Sequence, residues 1–190
     1  ELLENSENDT YSLESYSAYG FASDIATENE SYYKKLSVID ASAFASLKVN
    51  VPSSKEIAAQ KLEIAKNIPI AVVIHDDVSG KLAAAFTEAL ASIGFRASLT
   101  ANVRYVLTGN LTFEDSQSSD GKAARCRYFL ESYILDSATD QRLAPLCLSG
   151  RESHVSYHEA ENRALKTLEK KIRGDFKNTF VEYLKNFTGE

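Results

Sequence analysis

The sequence predicts an α+β fold, in which helices pack on one face of a mainly antiparallel sheet and a long helix lies at the C-terminus. Residues 103–113 alternate apolar and polar side chains, as a strand with one buried face does. Residues 124–152 read as two strands joined by the polar turn 136–142. Residues 156–187 carry apolar side chains at helical spacing.

The N-terminal third is expected to form a small β-α-α module. Residues 17–23 read as a short strand, and residues 32–47 as a helix with apolar residues at helical spacing. Ser53 or Ser54 can cap a second helix that runs to residue 65. The first dozen residues are acidic and rich in serine and asparagine, which favours a flexible segment. We therefore expect a tether over 1–14, the module over 15–66 and an α+β domain over 67–190.

The α+β domain is expected to begin with a strand and a helix. Residues 70–74 form an apolar run of strand length, and residues 82–93 follow with helical periodicity that Gly94 ends. A further strand begins near Phe95, before the alternating strands. Ser156 and Glu159 then fit the capping box that opens the last helix, whose middle Gly174 is expected to weaken.

Charge narrows the range of partners. The chain has 27 acidic and 21 basic residues, a net charge of -6, which repels nucleic acid and anionic lipid headgroups. The longest apolar run is also far shorter than the roughly 18 residues of a membrane span. We expect no nucleic-acid partner, and membrane attachment only through an N-terminal lipid anchor.

The stretch HDDVSGK, residues 75–81, raises the possibility of a phosphate-binding loop. The first glycine of that motif is missing and His75 stands in its place, while Leu82 replaces the required serine or threonine. Two aspartates also put negative charge where phosphate would lie. The sequence favours the end of a strand followed by a helix that Ser79 caps.

Metal and catalytic motifs are each incomplete. On a strand only His75 and Asp77 could converge, and no third ligand is evident. HEAEN, residues 158–162, matches half of a zinc-protease helix, but Asn162 replaces the second histidine. No nucleophile elbow is present. We therefore expect no catalytic residue, cofactor or metal, and the chain is predicted not to be an enzyme.

The two cysteines, Cys126 and Cys147, fit no zinc or redox spacing. The predicted turn places Cys147 opposite a residue near position 130, too far from Cys126 for a disulfide unless a bulge shifts the register. Two buried free thiols are favoured over a disulfide.

Several segments resemble a bacterial envelope domain. They include Gly94-Phe95, YVLTG at 105–109, and Leu135-Asp136 followed by Thr139 and Leu143. This pattern resembles the domain shared by the TolB N-terminal domain, CsgG, penicillin-binding-protein activator lipoproteins and the middle domain of flagellar assembly protein T. Residues 18–47 resemble the N-terminal module of the last family. Asn102 and Asp140 depart from the usual alanine and glycine.

The resemblance implies a non-enzymatic module that binds other proteins in cell-envelope or flagellar assembly. Its expected setting is the periplasm, on an outer-membrane-anchored lipoprotein whose lipid-accepting cysteine lies before Glu1. The alternatives are a soluble small-ligand- or lipid-binding domain and, less favoured, a hydrolase.

One face of the predicted sheet is a candidate protein-binding surface. If helices cover the face that carries Tyr105, Leu107 and Leu130, alternation places a set rich in arginine and aromatic residues on the other. Such residues are enriched at interfaces, although an ordinary solvated face or a packing surface for the N-terminal module is the alternative. The expected partner is an envelope protein or a second copy. The candidate residues are Arg104, Thr108, Arg125, Arg127, Phe129 and Tyr133.

Overall fold

A computed structural model of the chain describes residues 11–47, 52–117 and 123–187. The chain divides into two compact units. The first joins Glu1–Ile68 to Leu184–Glu190, and the second is Pro69–Tyr183. Most of the predicted tether, residues 1–10, lies outside the described residues. Within the described ranges, no helix combines the length and the apolar character needed to cross a bilayer.

Among the described residues before Ile68, the first unit has three helices: α1 (Leu13–Ile39), α2 (Ala41–Ser46) and α3 (Ser54–Asn67). The predicted strand over 17–23 is wrong, because these residues lie inside α1. Ser12 Oγ caps this helix by accepting from the Ser15 N–H at 3.1 Å. The alternation of small and aromatic residues suits either structure locally, but Leu13, Tyr16 and Ser17 are buried at the i, i+3, i+4 spacing of a helix.

Side-chain caps divide this helical unit. The single helix predicted over 32–47 is interrupted at Asp40, whose backbone is extended and whose carboxylate accepts from the N–H of Ser42 and Ala43 at 3.0 and 2.9 Å. The predicted cap of the next helix is confirmed. Ser53 and Glu56 form a reciprocal capping box at the start of α3.

The second unit contains a five-stranded sheet in the order β2-β1-β3-β4-β5. Strand β1 is parallel to β2 and β3, whereas the long β3, β4 and β5 are antiparallel. This confirms the predicted α+β class with a mainly antiparallel sheet. The strands are β1 (Pro69–His75), β2 (Arg96–Ser98), β3 (Tyr105–Gln117), β4 (Ala124–Asp136) and β5 (Gln141–His154).

The helices of this part of the chain are α4 (Lys81–Ile93), α5 (Tyr157–Lys171), a π-helix (Ile172–Phe176) and α6 (Lys177–Asn186). Helix α4 contacts β1, and α5 contacts β4 and β5. The sheet side chains beneath them are buried, as the alternation predicts. They include Tyr105, Leu107, Leu111, Cys126, Tyr128, Leu130 and Ile134.

Four phenylalanines form an aromatic cluster in the core of this unit. The ring centroids of Phe86 and Phe176 are 4.9 Å apart in an edge-to-face arrangement. Phe180 stacks on Phe176 at 5.5 Å and also contacts Phe95 at 5.6 Å. All four are buried. The cluster therefore joins α4 to the last helical segments.

The π-helix explains the unusual spacing of the C-terminal apolar stripe. Leu168, Ile172, Phe176 and Phe180 are four residues apart and all buried. An α-helix has 3.6 residues per turn, so each such step would rotate the stripe by about 40°. The wider π turn absorbs this drift. Gly174, predicted to weaken the helix, lies within this segment and is exposed.

Candidate protein-binding face

The turn after β1 is not capped as predicted. Asp77 accepts from the second and third amides of α4, with Oδ2 at 2.8 Å from the Leu82 nitrogen and 2.9 Å from the Ala83 nitrogen. Ser79 donates to the other Asp77 oxygen at 3.1 Å, and its Oγ accepts only the Lys81 N–H, at 3.4 Å, while Gly80 takes the N-cap position. A carboxylate of the chain therefore occupies the N-terminal donors that a phosphate-binding loop would offer.

His75 and His158, the histidines of the two incomplete metal motifs, lie on different elements. His75 and His158 are exposed, one at the end of β1 and the other in the first turn of α5. Ser156 Oγ accepts from the Glu159 N–H at 3.4 Å, which confirms Ser156 as the cap of α5. Among the described residues, no three histidine, cysteine or acidic side chains are grouped as metal ligands.

Both cysteines are free thiols. Cys126 lies under α5, with Sγ 3.9 Å from Tyr157 Oη, and burial raises the pKa of its thiol. Burial, and then the contact with Cys126, raises the pKa of Tyr157 to about 12. Cys147 is exposed and pairs in register with Glu131. The prediction of a buried free thiol is therefore confirmed for Cys126 and wrong for Cys147.

Away from the helices, β3, β4 and β5 present what we call the open face. Two cross-strand rows stand side by side on it: Thr112, Phe129 and Ser149 in one, and Glu114, Arg127 and Arg151 in the other. All six are exposed. They line a groove of about 590 Å³ together with Tyr128 and Gly150.

The charge of these rows is mainly positive. Arg125 stands two residues before Arg127 on the same side of β4, so three arginines flank Phe129 from one end. Glu114 is the acidic residue of the rows, and its Oε2 lies 3.8 Å from the Arg127 guanidinium. Both side chains of this pair are well exposed, so the pair is weak and leaves Arg127 able to bind elsewhere.

Two of the predicted residues form a separate group on the open face. Thr108 pairs with Tyr133, and the Arg142 guanidinium lies over the Tyr133 ring at 4.6 Å from its centroid. Tyr133 is four residues along β4 from Phe129, a distance of about 13 Å. The structure thus places Arg127 next to Phe129, with Arg125 beyond Arg127 along β4, and Thr108 and Tyr133 as far from Phe129 in the other direction.

Arg104 does not belong to the open face. Its Nε and Nη2 bind the carboxylate of Asp136 at 2.9 and 2.8 Å. Burial opposes ionisation of Asp136, but hydrogen bonds from Arg104 and from the Ala138 N–H outweigh it and keep the pKa of the carboxyl below its ordinary value. The salt bridge connects the residue before β3 to the last residue of β4.

Sequence reasoning missed Arg151 because of a bulge. Next to the turn, Asp136 pairs with Gln141, and extending that register would place Gly150 opposite Arg127. A β-bulge shifts the pairing by one residue, so Arg151 takes that position. Ala144 adopts a positive φ of 48° there. Pro145 was the available signal, because proline within a strand marks an edge or a bulge.

Comparison with known proteins finds similar structures but no matching family or curated protein. No family model matches the chain. No curated protein matches it either. Among solved structures, the minor lipoprotein of Acinetobacter baumannii has a TM-score of 0.42 at 15% identity, over 64% of this chain and 92% of that one.

Two further lipoprotein structures are similar to this chain. Rare lipoprotein B of Shewanella oneidensis has a TM-score of 0.39 at 14% identity, over 60% of this chain and 92% of that one. Lipoprotein GNA1162 of Neisseria meningitidis has a TM-score of 0.40 at 16% identity, over 58% of this chain and 99% of that one. The neighbours are bacterial lipoproteins, and no residue or activity carries over from them at this level of similarity.

Proposed function

We propose that this chain is a non-enzymatic protein-binding module of a bacterial cell-envelope lipoprotein. The observation that supports it is the group formed by Arg127, its cross-strand partner Arg151 and Arg125 next along β4, which lies at one end of the exposed ring of Phe129 on the open face. Arginine and aromatic residues give a contact both area and directed hydrogen bonds, and they dominate the energetics of many interfaces.

The charge of the open face indicates the chemistry of its partner. The chain as a whole is acidic, with a net charge of -6. A local group of three arginines therefore attracts an acidic region of a partner to the open face, whereas the rest of the surface repels it. A fitting partner presents carboxylates to the arginines and an apolar or aromatic side chain to Phe129. Guanidinium groups bind carboxylates in a bidentate way, which fixes orientation as well as charge.

The envelope setting is the less direct part of the proposal. It rests on the resemblance of Gly94-Phe95, YVLTG at 105–109 and the 135–143 turn to the envelope domains named above. On this basis the module works in the periplasm, attached to the outer membrane by an N-terminal lipid, in envelope or flagellar assembly.

Quantitative capture tests the proposal. The purified chain is immobilised, and proteins retained from an envelope extract are compared by mass spectrometry with those retained by the double variant Arg127→Ala, Phe129→Ala. We expect a specific set of acidic-surfaced proteins to be lost, with circular dichroism unchanged.

The matched control is Arg96→Ala, Leu99→Ala, which removes the same kinds of side chain. Arg96 and Leu99 are exposed at the β2 edge, the opposite edge of the sheet from β5. Equal retention by the wild-type chain and the first variant, or the same loss in the control, would contradict the proposal.

A further inference from the structure

Helix α1 carries an exposed stripe that the proposed function does not use. Residues 21, 25, 28, 32, 35 and 39 alternate spacings of four and three, the repeat of a coiled-coil seam. Phe21, Ile25, Tyr32 and Ile39 lie on it and are 67%, 44%, 56% and 82% exposed. Single exposed apolar residues are ordinary on a protein surface, but four aligned at this repeat over about 27 Å of helix are not.

The stripe runs along an exposed side of α1. The buried residues Tyr16 and Ala26 lie on the other side of the helix, and α1 packs against α3. Its centre is polar: Tyr32 Oη donates to Glu28 Oε1 at 3.0 Å, and Lys35 Nζ lies 5.3 Å from the Tyr32 ring centroid. We call the six positions the α1 seam.

We infer that two copies of the chain associate by antiparallel pairing of their α1 seams. The six positions are symmetric about their centre, so an antiparallel partner matches every layer. Phe21 then meets Ile39 of the other copy, Ile25 meets Lys35, and Glu28 meets Tyr32. This arrangement pairs Phe21 with Ile39 in an apolar layer at each end of the seam, and the side chains of Lys35 and Glu28 cover Ile25 and Tyr32 between them.

Charge selects the antiparallel direction. Antiparallel pairing places Glu28 of one copy between Tyr32 and Lys35 of the other, and brings Asp24 next to Lys35. A parallel pair would instead stack Glu28 on Glu28 and Lys35 on Lys35 in the seam, where like charges are destabilising. The polar layers thus specify orientation, while the apolar layers supply the buried surface. This inference concerns the first unit and does not depend on the open face.

Sedimentation equilibrium of the full chain tests the association. We expect a concentration-dependent dimer for the wild-type chain and a monomer for Phe21→Gln, Ile39→Gln, since glutamine keeps helix propensity and removes one apolar layer at each end. The matched control, Leu99→Gln, Val155→Gln, changes two residues that are 105% and 85% exposed elsewhere and should leave the dimer intact.

Cysteine cross-linking tests the orientation. In a Cys147→Ser background, chains with Phe21→Cys are mixed with chains that carry Ile39→Cys and then oxidised. We expect mixed 21–39 disulfide dimers to dominate. A wild-type chain that stays monomeric, a dimer that survives the seam variant, or a predominance of 21–21 and 39–39 disulfides would overturn the inference.

Discussion

Neighbouring residues of β4 show how differently the two faces of one sheet are used. Leu130 is fully buried beneath the helices, while Phe129, one position earlier, keeps 43% of its surface exposed on the open face. On the covered face the side chains of β4 from Cys126 to Asp136 are buried, and all but Ser132 and Asp136 are apolar. On the open face the two rows carry two arginines, a glutamate, a phenylalanine and two hydroxyl side chains around a groove.

This contrast separates stability from recognition within a single strand. Burial of the covered side chains provides the hydrophobic free energy that holds the sheet to α4 and α5. The open-face side chains gain little from folding, because they remain in contact with water. Substitutions on the covered face should therefore lower the free energy of unfolding, whereas substitutions on the open face should weaken partner binding.

The largest difference should appear between the two neighbouring residues themselves. Leu130→Ala leaves a cavity in the core and should lower the free energy of unfolding by about 3 kcal/mol. Phe129→Ala, on the open face, should change it by less than about 1 kcal/mol. Urea unfolding followed by circular dichroism measures both, and similar losses for the two variants would contradict the division of roles.

A smaller loss is expected at Asp136, the last residue on the covered side of β4. Asp136→Asn removes the charge that holds Arg104 and should cost about 2 kcal/mol at neutral pH. Folding lowers the pKa of this carboxyl. Its contribution to the free energy of unfolding is therefore present above the unfolded pKa of about 3.9 and is lost as pH falls through the lower folded pKa.

Urea unfolding between neutral and strongly acidic pH checks the sign. The wild-type chain should lose stability below about pH 4 more steeply than Asp136→Asn does. Asp175→Asn, at an exposed carboxylate, is the control and should retain the wild-type slope. Parallel pH profiles for the wild-type chain and Asp136→Asn would show that the salt bridge contributes nothing to this dependence.

The smallest expected effect is an increase in stability, at the turn that joins β4 to β5. Asp140 is exposed and has a φ of 58°, which glycine adopts without strain. Asp140→Gly should raise the free energy of unfolding by about 0.5 kcal/mol. Ala138→Gly is the control; since Ala138 is not among the described residues with positive φ, it should lose stability, and a gain there as well would refute the explanation.

The covered face could be predicted because it depends on local alternation alone. Once 103–113 and 124–135 are recognised as strands, the apolar positions Tyr105, Leu107 and Leu130 follow without knowledge of the rest of the chain. Arg151 could not be placed in this way. Its side of the sheet depends on the register of β5, and a one-residue shift reverses every side chain of a strand.

The errors in the N-terminal part have a related cause. The local sequence pattern over 17–23 fits a strand as well as a helix. Packing against residues distant in the sequence decides which of the two forms. Asp40 and Asp77 both act as caps that the periodicity of neighbouring apolar residues does not reveal. Short side-chain carboxylates compete for backbone N–H groups, so their role emerges only with the geometry of the turn.

Site-specific photo-cross-linking in cells shows whether a partner binds the open face. A benzophenone amino acid is placed at Phe129, or at the exposed Leu99 as a control at the opposite, β2 edge of the sheet. We expect a discrete cross-linked protein at position 129, weakened by Arg127→Glu, Arg151→Glu, and none at position 99. Equal cross-linking at both positions, or a product at 129 that ignores the arginine changes, would contradict the proposal.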